Sequence, residues 1–199
     1  MSKIFCVMGK SASGKDSVFK KLAADPGLGL RTVVPYTTRP IREGERDGVE
    51  YYFTDERHFQ DLKQSGKIIE DRAYHTVHGL WRYFTADDGQ ICLSPENNYI
   101  IIGTLEAYRQ MLNYFGPDIM RPVYVEVEDG QRLLRALKRE QFQTKPRYAE
   151  MCRRFLADCE DFSEEKIGDC GIIKRYANIE LEQCVRQIKA DIEEEIKKG

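Results

Sequence analysis

The chain contains no apolar run approaching the ~20 residues that a membrane-spanning helix needs, so neither a transmembrane helix nor a membrane partner is expected. It has only three histidines, and its six cysteines (6, 92, 152, 159, 170 and 184) never form a C-x-x-C pair. Zinc ribbons and dithiol redox centres lose their usual spacing, and the cysteines read as reduced, structural thiols. His75 and His78 look like a metal pair, but no Cys, Asp or Glu completes a set around them at ligand spacing. The opening residues, MSKIFCVMGK, run directly into a glycine turn and leave no length for a cleaved leader, which makes the cytoplasm the expected location. Internal repeats and low-complexity linkers are also missing. The net charge of −2 gives no overall basic field for a long nucleic acid. Residues 131–154 nonetheless carry eight Lys or Arg against two Glu, a balance suited to a small anionic ligand.

What the chain does contain is an alternation of β-type and helical stretches. KIFCVMG reads as an apolar strand, and KDSVFKKLAAD as a helix with Val18 and Leu22 on one side. TDERHFQDLKQSG carries an N-cap at Thr54 or Asp55 and a stop at Gly66. The aromatic stretch 67–89 predicts short antiparallel strands, NNYIIIGT a buried strand, LEAYRQMLNYFG a helix and RPVYVEVED another strand. Long helical stretches to about Glu165, a last strand in CGIIKRY and a closing helix complete the chain. Such alternation predicts an α/β fold: a parallel sheet flanked by helices, with an inserted small α+β lobe.

Gly9-x-x-x-x-Gly14-Lys15 stands between the first strand and the first helix, as a phosphate-binding loop requires. There, glycines let successive backbone N–H groups face an anion, the helix N-terminus adds its positive end, and the lysine reaches the β- and γ-phosphates. The residues expected on the phosphates are Gly9, Lys10, Ser11, Ala12, Ser13, Gly14, Lys15, Asp16 and Ser17. The position of the usual magnesium-binding hydroxyl is Asp16, and a carboxylate is also a fit ligand for that ion. A second segment, YTTRPIREGERDGVEYYF (36–53), places Arg39, Arg42 and Tyr51 close together. Two guanidinium forks and a phenol suit a phosphate monoester, and a charged hairpin with surface salt bridges reads equally well from the residues alone.

Taken together, the loop and the Thr-Thr-Arg-Pro-x-Arg-x-Gly-Glu-x-Asp-Gly-x-x-Tyr-x-Phe run resemble the guanylate kinase family, most strongly over residues 4–22 and 36–70. The resemblance implies a P-loop NTPase-type fold with a core (1–34, 90–134 and 155–199), an acceptor-binding lobe at about 35–89 and a helical lid at about 135–154. It implies ATP as donor, Mg²⁺ as cofactor and GMP as acceptor. Arg39, Arg42, Tyr51 and Tyr83 match the grip on the acceptor phosphate, while Glu70 and Thr85 match the contacts to guanine. Lys15, Arg39, Arg139 and Arg154 match the catalytic cations, the last two from the lid, and Asn178 falls near the segment that contacts the donor adenine.

Three positions depart from that pattern. Pro35 stands in place of a guanine-contacting serine, and Ile102 and Thr104 in place of two acidic residues. Asp16 is the third, and Gly14-Lys15-Asp16-Ser17 resembles the ribose 1,5-bisphosphate phosphokinases instead. Two alternatives to GMP phosphorylation therefore stay open: a sugar phosphate acceptor, and a catalytically silent protein-interaction module.

Overall fold

The computed structural model describes residues 1–76 and 79–198. Among the described residues, nine strands and seven helices follow one another as β1 (Ile4–Met8), α1 (Lys15–Ala23), β2 (Leu30–Thr32), β3 (Tyr36–Thr37), β4 (Tyr52–Phe53), α2 (Glu56–Gln64), β5 (Ile68–Thr76), β6 (Gly79–Ala86), β7 (Asn98–Ile102), α3 (Leu105–Phe115), β8 (Met120–Glu126), α4 (Asp129–Gln141), α5 (Tyr148–Asp161), α6 (Glu164–Asp169), β9 (Arg175–Ala177) and α7 (Leu181–Lys198).

Five strands form a sheet in the order β2-β7-β1-β8-β9, and all its pairings are parallel. β1 is central and buried along its length because the two faces of its pleat enter different cores. Ile4, Cys6 and Met8 pack with Leu105, Tyr108 and Met111 of α3 and with Phe162 and Ile167, while Phe5 and Val7 pack with Val18, Leu22, Cys184 and Ile188 of α1 and α7. This is the expected α/β architecture with helices on both faces.

In a parallel sheet every strand ends on the same side, and ligands settle in the crevice beyond those ends. The phosphate loop leaves β1 there, Thr104 leaves β7, Glu128 and Asp129 leave β8, and Asn178 leaves β9. A second sheet, β4-β3-β6-β5, stands apart with a small core of Phe59, Phe84 and Ala86 under α2. Its main element is the antiparallel hairpin β5–β6, paired in register from Ile68↔Ala86 to Thr76↔Gly79. A register shift between Ile68 and Glu70 sets Glu70 opposite Thr85.

Two local expectations are corrected. The aromatic stretch forms not short strands but a hairpin of nine and eight residues, held by cross-strand ring contacts such as Tyr74–Tyr83. The last strand is confined to Arg175–Ala177, because Cys170 caps α6 and Gly171, at φ +67°, turns the chain through a left-handed conformation. The long helical stretches expected up to about Glu165 are α4, α5 and the start of α6, with Phe142 as the C-cap of α4.

Candidate functional site

The phosphate loop is shaped by close approaches that exclude side chains. A Cβ on Gly9 would stand 2.3 Å from the Val125 carbonyl oxygen, and one on Gly14, where φ is +83°, would stand 2.4 Å from Asn178 Nδ2. Asn178 has a definite role here: it donates to the Ser13 carbonyl at 2.7 Å and so ties β9 to the loop. Ala12 holds φ +61°, an unusual conformation for a residue with a Cβ. Among the described residues no side chain caps α1, which begins at Lys15, and the buried Ser13 hydroxyl has no partner. Uncapped amides, a helix N-terminus and a stranded hydroxyl make an anion-binding cradle. Lys10 contacts Asp129 at 3.4 Å, Lys15 Nζ lies 3.8 Å from Asp16 Oδ2, and Ser17 is exposed on α1.

Asp16 is 74% exposed, with its carboxylate at the positive end of α1. Among the described residues no three His, Cys, Asp or Glu side chains gather to hold a metal ion, and His78 lies outside those residues. The donors present still suit Mg²⁺, which commonly takes one or two carboxylates and completes its shell with substrate phosphates and water.

The residues expected at the acceptor form one continuous cluster. Arg39 is buried, and its guanidinium donates to both carboxylate oxygens of Glu45, at 2.7 and 2.6 Å. It stacks 5.0 Å from the Tyr51 ring, and Tyr51 meets Tyr83 edge to face at 5.7 Å. The Arg39 Nε–H is buried and has no partner among the described residues. Burial lowers the pKa of Arg39, but the Glu45 hydrogen bond together with Tyr83 and Tyr51 raises it overall, and Glu45 is itself held below the ordinary carboxylate range by the Arg39 hydrogen bond. Burial first, then Tyr83, pushes the Tyr51 phenol up. The Arg42 amide donates to Glu45, and its side chain is exposed.

At the other end of the cluster, Thr85 donates to Glu70 Oε1 at 2.9 Å, and both residues are buried. Arg72, which the sequence reading missed, pairs with the same carboxylate through Nε (3.0 Å) and Nη2 (3.3 Å), and its Nη1 donates to Thr104 at 3.2 Å. Thr104 also accepts from the Ala107 amide as the N-cap of α3, while Ile102 only ends β7. The Pro35 carbonyl accepts from the Tyr52 amide within the lobe. A cavity of 140 Å³ opens between Tyr74, Thr104, Arg109, Asp161 and Lys166, beside Arg72 and not at the phosphate loop.

The two arginines expected in a lid, Arg139 and Arg154, are not brought to the loop. Arg139 is exposed without an ion pair among the described residues, and Arg154 pairs with Glu150 one turn earlier on α5. The loop's partners from these helices are instead Arg132 and Asp158. The Ser11 amide donates to Asp158 Oδ2 at 2.8 Å, and Arg132, 1% exposed, donates to the Ser11 carbonyl at 3.0 Å and to Asp129. Their helical spacing carried the hint: Arg132, Ala136 and Glu140 fall four apart and form the buried stripe of α4.

Known proteins resemble this chain in two ways. A family model described as guanylate kinase matches residues 1–79. Guanylate kinase of Aliivibrio fischeri is 34% identical over 96 residues, 45% of this chain and 46% of that protein. That of Legionella pneumophila is 40% identical over 67 residues, 34% of this chain and 32% of that protein. The match thus spans less than half the length of these curated relatives. In structure, guanylate kinase from Anaplasma phagocytophilum superposes with a TM-score of 0.64 over 98% of this chain and 86% of its own, at 19% identity. Residues 1–79 thus match the guanylate kinase family model, and the chain as a whole shares the fold of a guanylate kinase.

Proposed function

We propose that this chain transfers the γ-phosphoryl group of ATP to the phosphate of a nucleoside monophosphate, GMP, giving GDP and ADP. The observation that carries this reading is buried Arg39: its Nε–H has no partner among the described residues, and it stacks on the Tyr51 ring, which in turn meets Tyr83, where a phosphate monoester would fit. The second anion cradle, Gly9 to Ser17, takes the donor phosphates, with Lys15 on the β- and γ-phosphates and Asp16 as the ligand for Mg²⁺. When bound, Mg²⁺ neutralises charge on the donor phosphates.

The chain's own residues then position and shield. Arg39, Arg42, Tyr51 and Tyr83 aim an acceptor oxygen in line with the γ-phosphorus. A bond forms from that oxygen as the bond to the bridging oxygen of ADP breaks. No general base is needed, because the attacking phosphate is already anionic. Residues 135–154 act as the lid, bringing Arg139 and Arg154 over the γ-phosphate and excluding water. Domain roles follow the same division, with the β3–β6 lobe holding the acceptor and the parallel sheet holding the donor.

A sugar phosphate acceptor is a second reading, favoured by Gly14-Lys15-Asp16-Ser17. The test is ADP release with ATP·Mg²⁺ against GMP, dGMP, AMP, UMP, CMP and ribose 1,5-bisphosphate. Turnover with GMP supports the first reading, and turnover with the bisphosphate alone replaces it with the second. Silence on all six, with ATP still bound, turns the chain into an interaction module.

A further inference from the structure

The apex of the phosphate loop is a four-residue turn. The Ser13 amide closes it on the Lys10 carbonyl at 3.2 Å, and of its two central residues only Ala12 has a positive φ, +61°. That is the pattern of a type II turn, whose third residue is ordinarily glycine or asparagine. A side chain at left-handed φ disfavours this form by roughly 5- to 30-fold. A type I turn spans the same ends with negative φ at both central residues, and differs by reversal of the Ser11–Ala12 peptide. Two side chains grip Ser11. Arg132 Nη1 donates to its carbonyl at 3.0 Å, and Asp158 Oδ2 accepts from its amide at 2.8 Å. The two also meet each other, Arg132 Nη1 to Asp158 Oδ2 at 3.4 Å. Arg132 is itself fixed: it is buried, its Nε and Nη2 both donate to Asp129 Oδ1, and the Phe155 ring centroid lies 4.7 Å from its guanidinium carbon. The C=O and N–H of a trans peptide point in opposite directions, so holding the Ser11 carbonyl sets the direction of the Ala12 N–H. Among the described residues that N–H makes no hydrogen bond, and neither does the buried hydroxyl of the adjacent Ser13.

We infer that Arg132 and Asp158 are positioning residues for the phosphoryl donor: they clamp the Ser11–Ala12 peptide so that the Ala12 N–H faces the donor phosphates. The inference rests on the donor half of the reading above, ATP on Gly9 to Ser17. With the peptide reversed, the Ser11 carbonyl would take the place of that N–H, and a carbonyl oxygen repels an anion. Alanine at this position favours the reversed form, so the clamp is what keeps the loop competent. The apparent Kd for ATP is the intrinsic one divided by the competent fraction, and loss of the clamp therefore weakens binding. The two side chains come from α4 and α5, just outside either end of the stretch 135–154. The same clamp thus ties both stems of the expected lid to the loop.

Calorimetric titration of ATP·Mg²⁺ into four full-length chains tests this: the parent, Arg132→Met, Ala12→Gly and the double variant. Methionine keeps a long unbranched stem and donates nothing. Glycine takes positive and negative φ about equally, so Ala12→Gly makes the clamp nearly dispensable. Arg132→Met should raise the ATP Kd by about fivefold or more in the parent, and by at least about threefold less in the Ala12→Gly background. The lost positive charge acts alike in both backgrounds and cancels in the comparison. Melting temperatures should fall equally in both, because Ala12→Gly restores none of the packing around Arg132. An equal loss of ATP affinity in the two backgrounds makes Arg132 a structural support and overturns the inference, while ATP binding by the parent keeps the donor reading. An unchanged Kd in Arg132→Met overturns the inference in the same way. A parent that binds no ATP overturns the donor reading itself. If Arg132→Met does not fold, Asp158→Ala carries the same comparison. A rise of about threefold or more is then expected only where residue 12 is alanine, and an equal rise in both backgrounds overturns the inference.

Discussion

Arg39 and Asp16 make separable demands at the level of single residues. Arg39 is anchored by Glu45 and two aromatic rings, so its orientation exists before any ligand arrives. Arg39→Ala removes a preorganised cation from the acceptor side and leaves the donor cradle untouched. Turnover should fall by about 100-fold or more while the ATP Kd, read by calorimetry, changes less than about threefold. A parallel collapse of ATP binding and of thermal stability would make the residue structural. Asp16 belongs to the other cradle. Asp16→Asn keeps the shape but removes the charge that would hold a hard cation. The Mg²⁺ concentration for half-maximal rate should rise by about tenfold at saturating ATP, with the acceptor KM unmoved, and an unshifted Mg²⁺ curve would remove Asp16 as its ligand. Both residues are plain in the sequence because each sits in a short contiguous motif. Arg72 is not, because its meaning comes from a cross-strand neighbour and from a threonine on another strand's end, and no local pattern announces such a meeting.

Helix ends allow the elements to be tested against each other. Asp55 caps α2 through the His58 amide, and Thr104 caps α3 through the Ala107 amide. Losing either cap costs about 1 kcal/mol, or roughly 2–4 °C in Tm for a chain of this size. Asp55→Ala and Thr104→Ala should therefore destabilise alike. Only Thr104→Ala should also shift the acceptor KM, because Thr104 additionally holds the Arg72 guanidinium. Equal KM values in the two variants would separate α3 from the acceptor site. The same elements show how far the sequence could be read. The strand, loop and helix at the N-terminus were legible because β1 is a run of apolar residues closed by glycine and α1 repeats its apolar positions at helical spacing. The parallel core followed from alternation alone. Harder to read were the length of the β5–β6 hairpin, whose strands are part exposed and so lack a clean alternation, and the short β9, where a helix cap consumes half of an apparently continuous β-branched run. Exposed lid positions such as Arg139 carry no packing pattern at all, so their placement could come only from resemblance.

For the whole molecule, the distribution of perturbed groups sets the pH range in which the fold holds. Several carboxylates lie below their ordinary range. The Arg39 hydrogen bond lowers Glu45, the Arg121 hydrogen bond lowers Glu195, and Arg153 followed by Arg154 holds Glu150 at about 2. A carboxylate depressed in the folded state stabilises it above its unfolded pKa, near 4, and loses that contribution as pH falls toward the folded value. The buried phenols act with the opposite sign. Burial pushes Tyr124 up to about 12, and burial followed by the Asp191 hydrogen bond pushes Tyr176 higher still. A phenol raised in the folded state stabilises it fully below its unfolded pKa, near 10, and that contribution is lost as pH climbs toward the folded value. Urea midpoints should therefore stay level between about pH 5 and 9, fall below about pH 4 and fall again above about pH 10. Arg39 and Glu45 make one further, sharper demand. Glu45→Gln removes the carboxylate that supports Arg39, so acid below pH 4 should cost this variant less of its urea midpoint than it costs the parent. An identical acid limb in the two would show that the Arg39–Glu45 bridge contributes nothing to the fold, and its task would then be only to aim Arg39 at the acceptor phosphate.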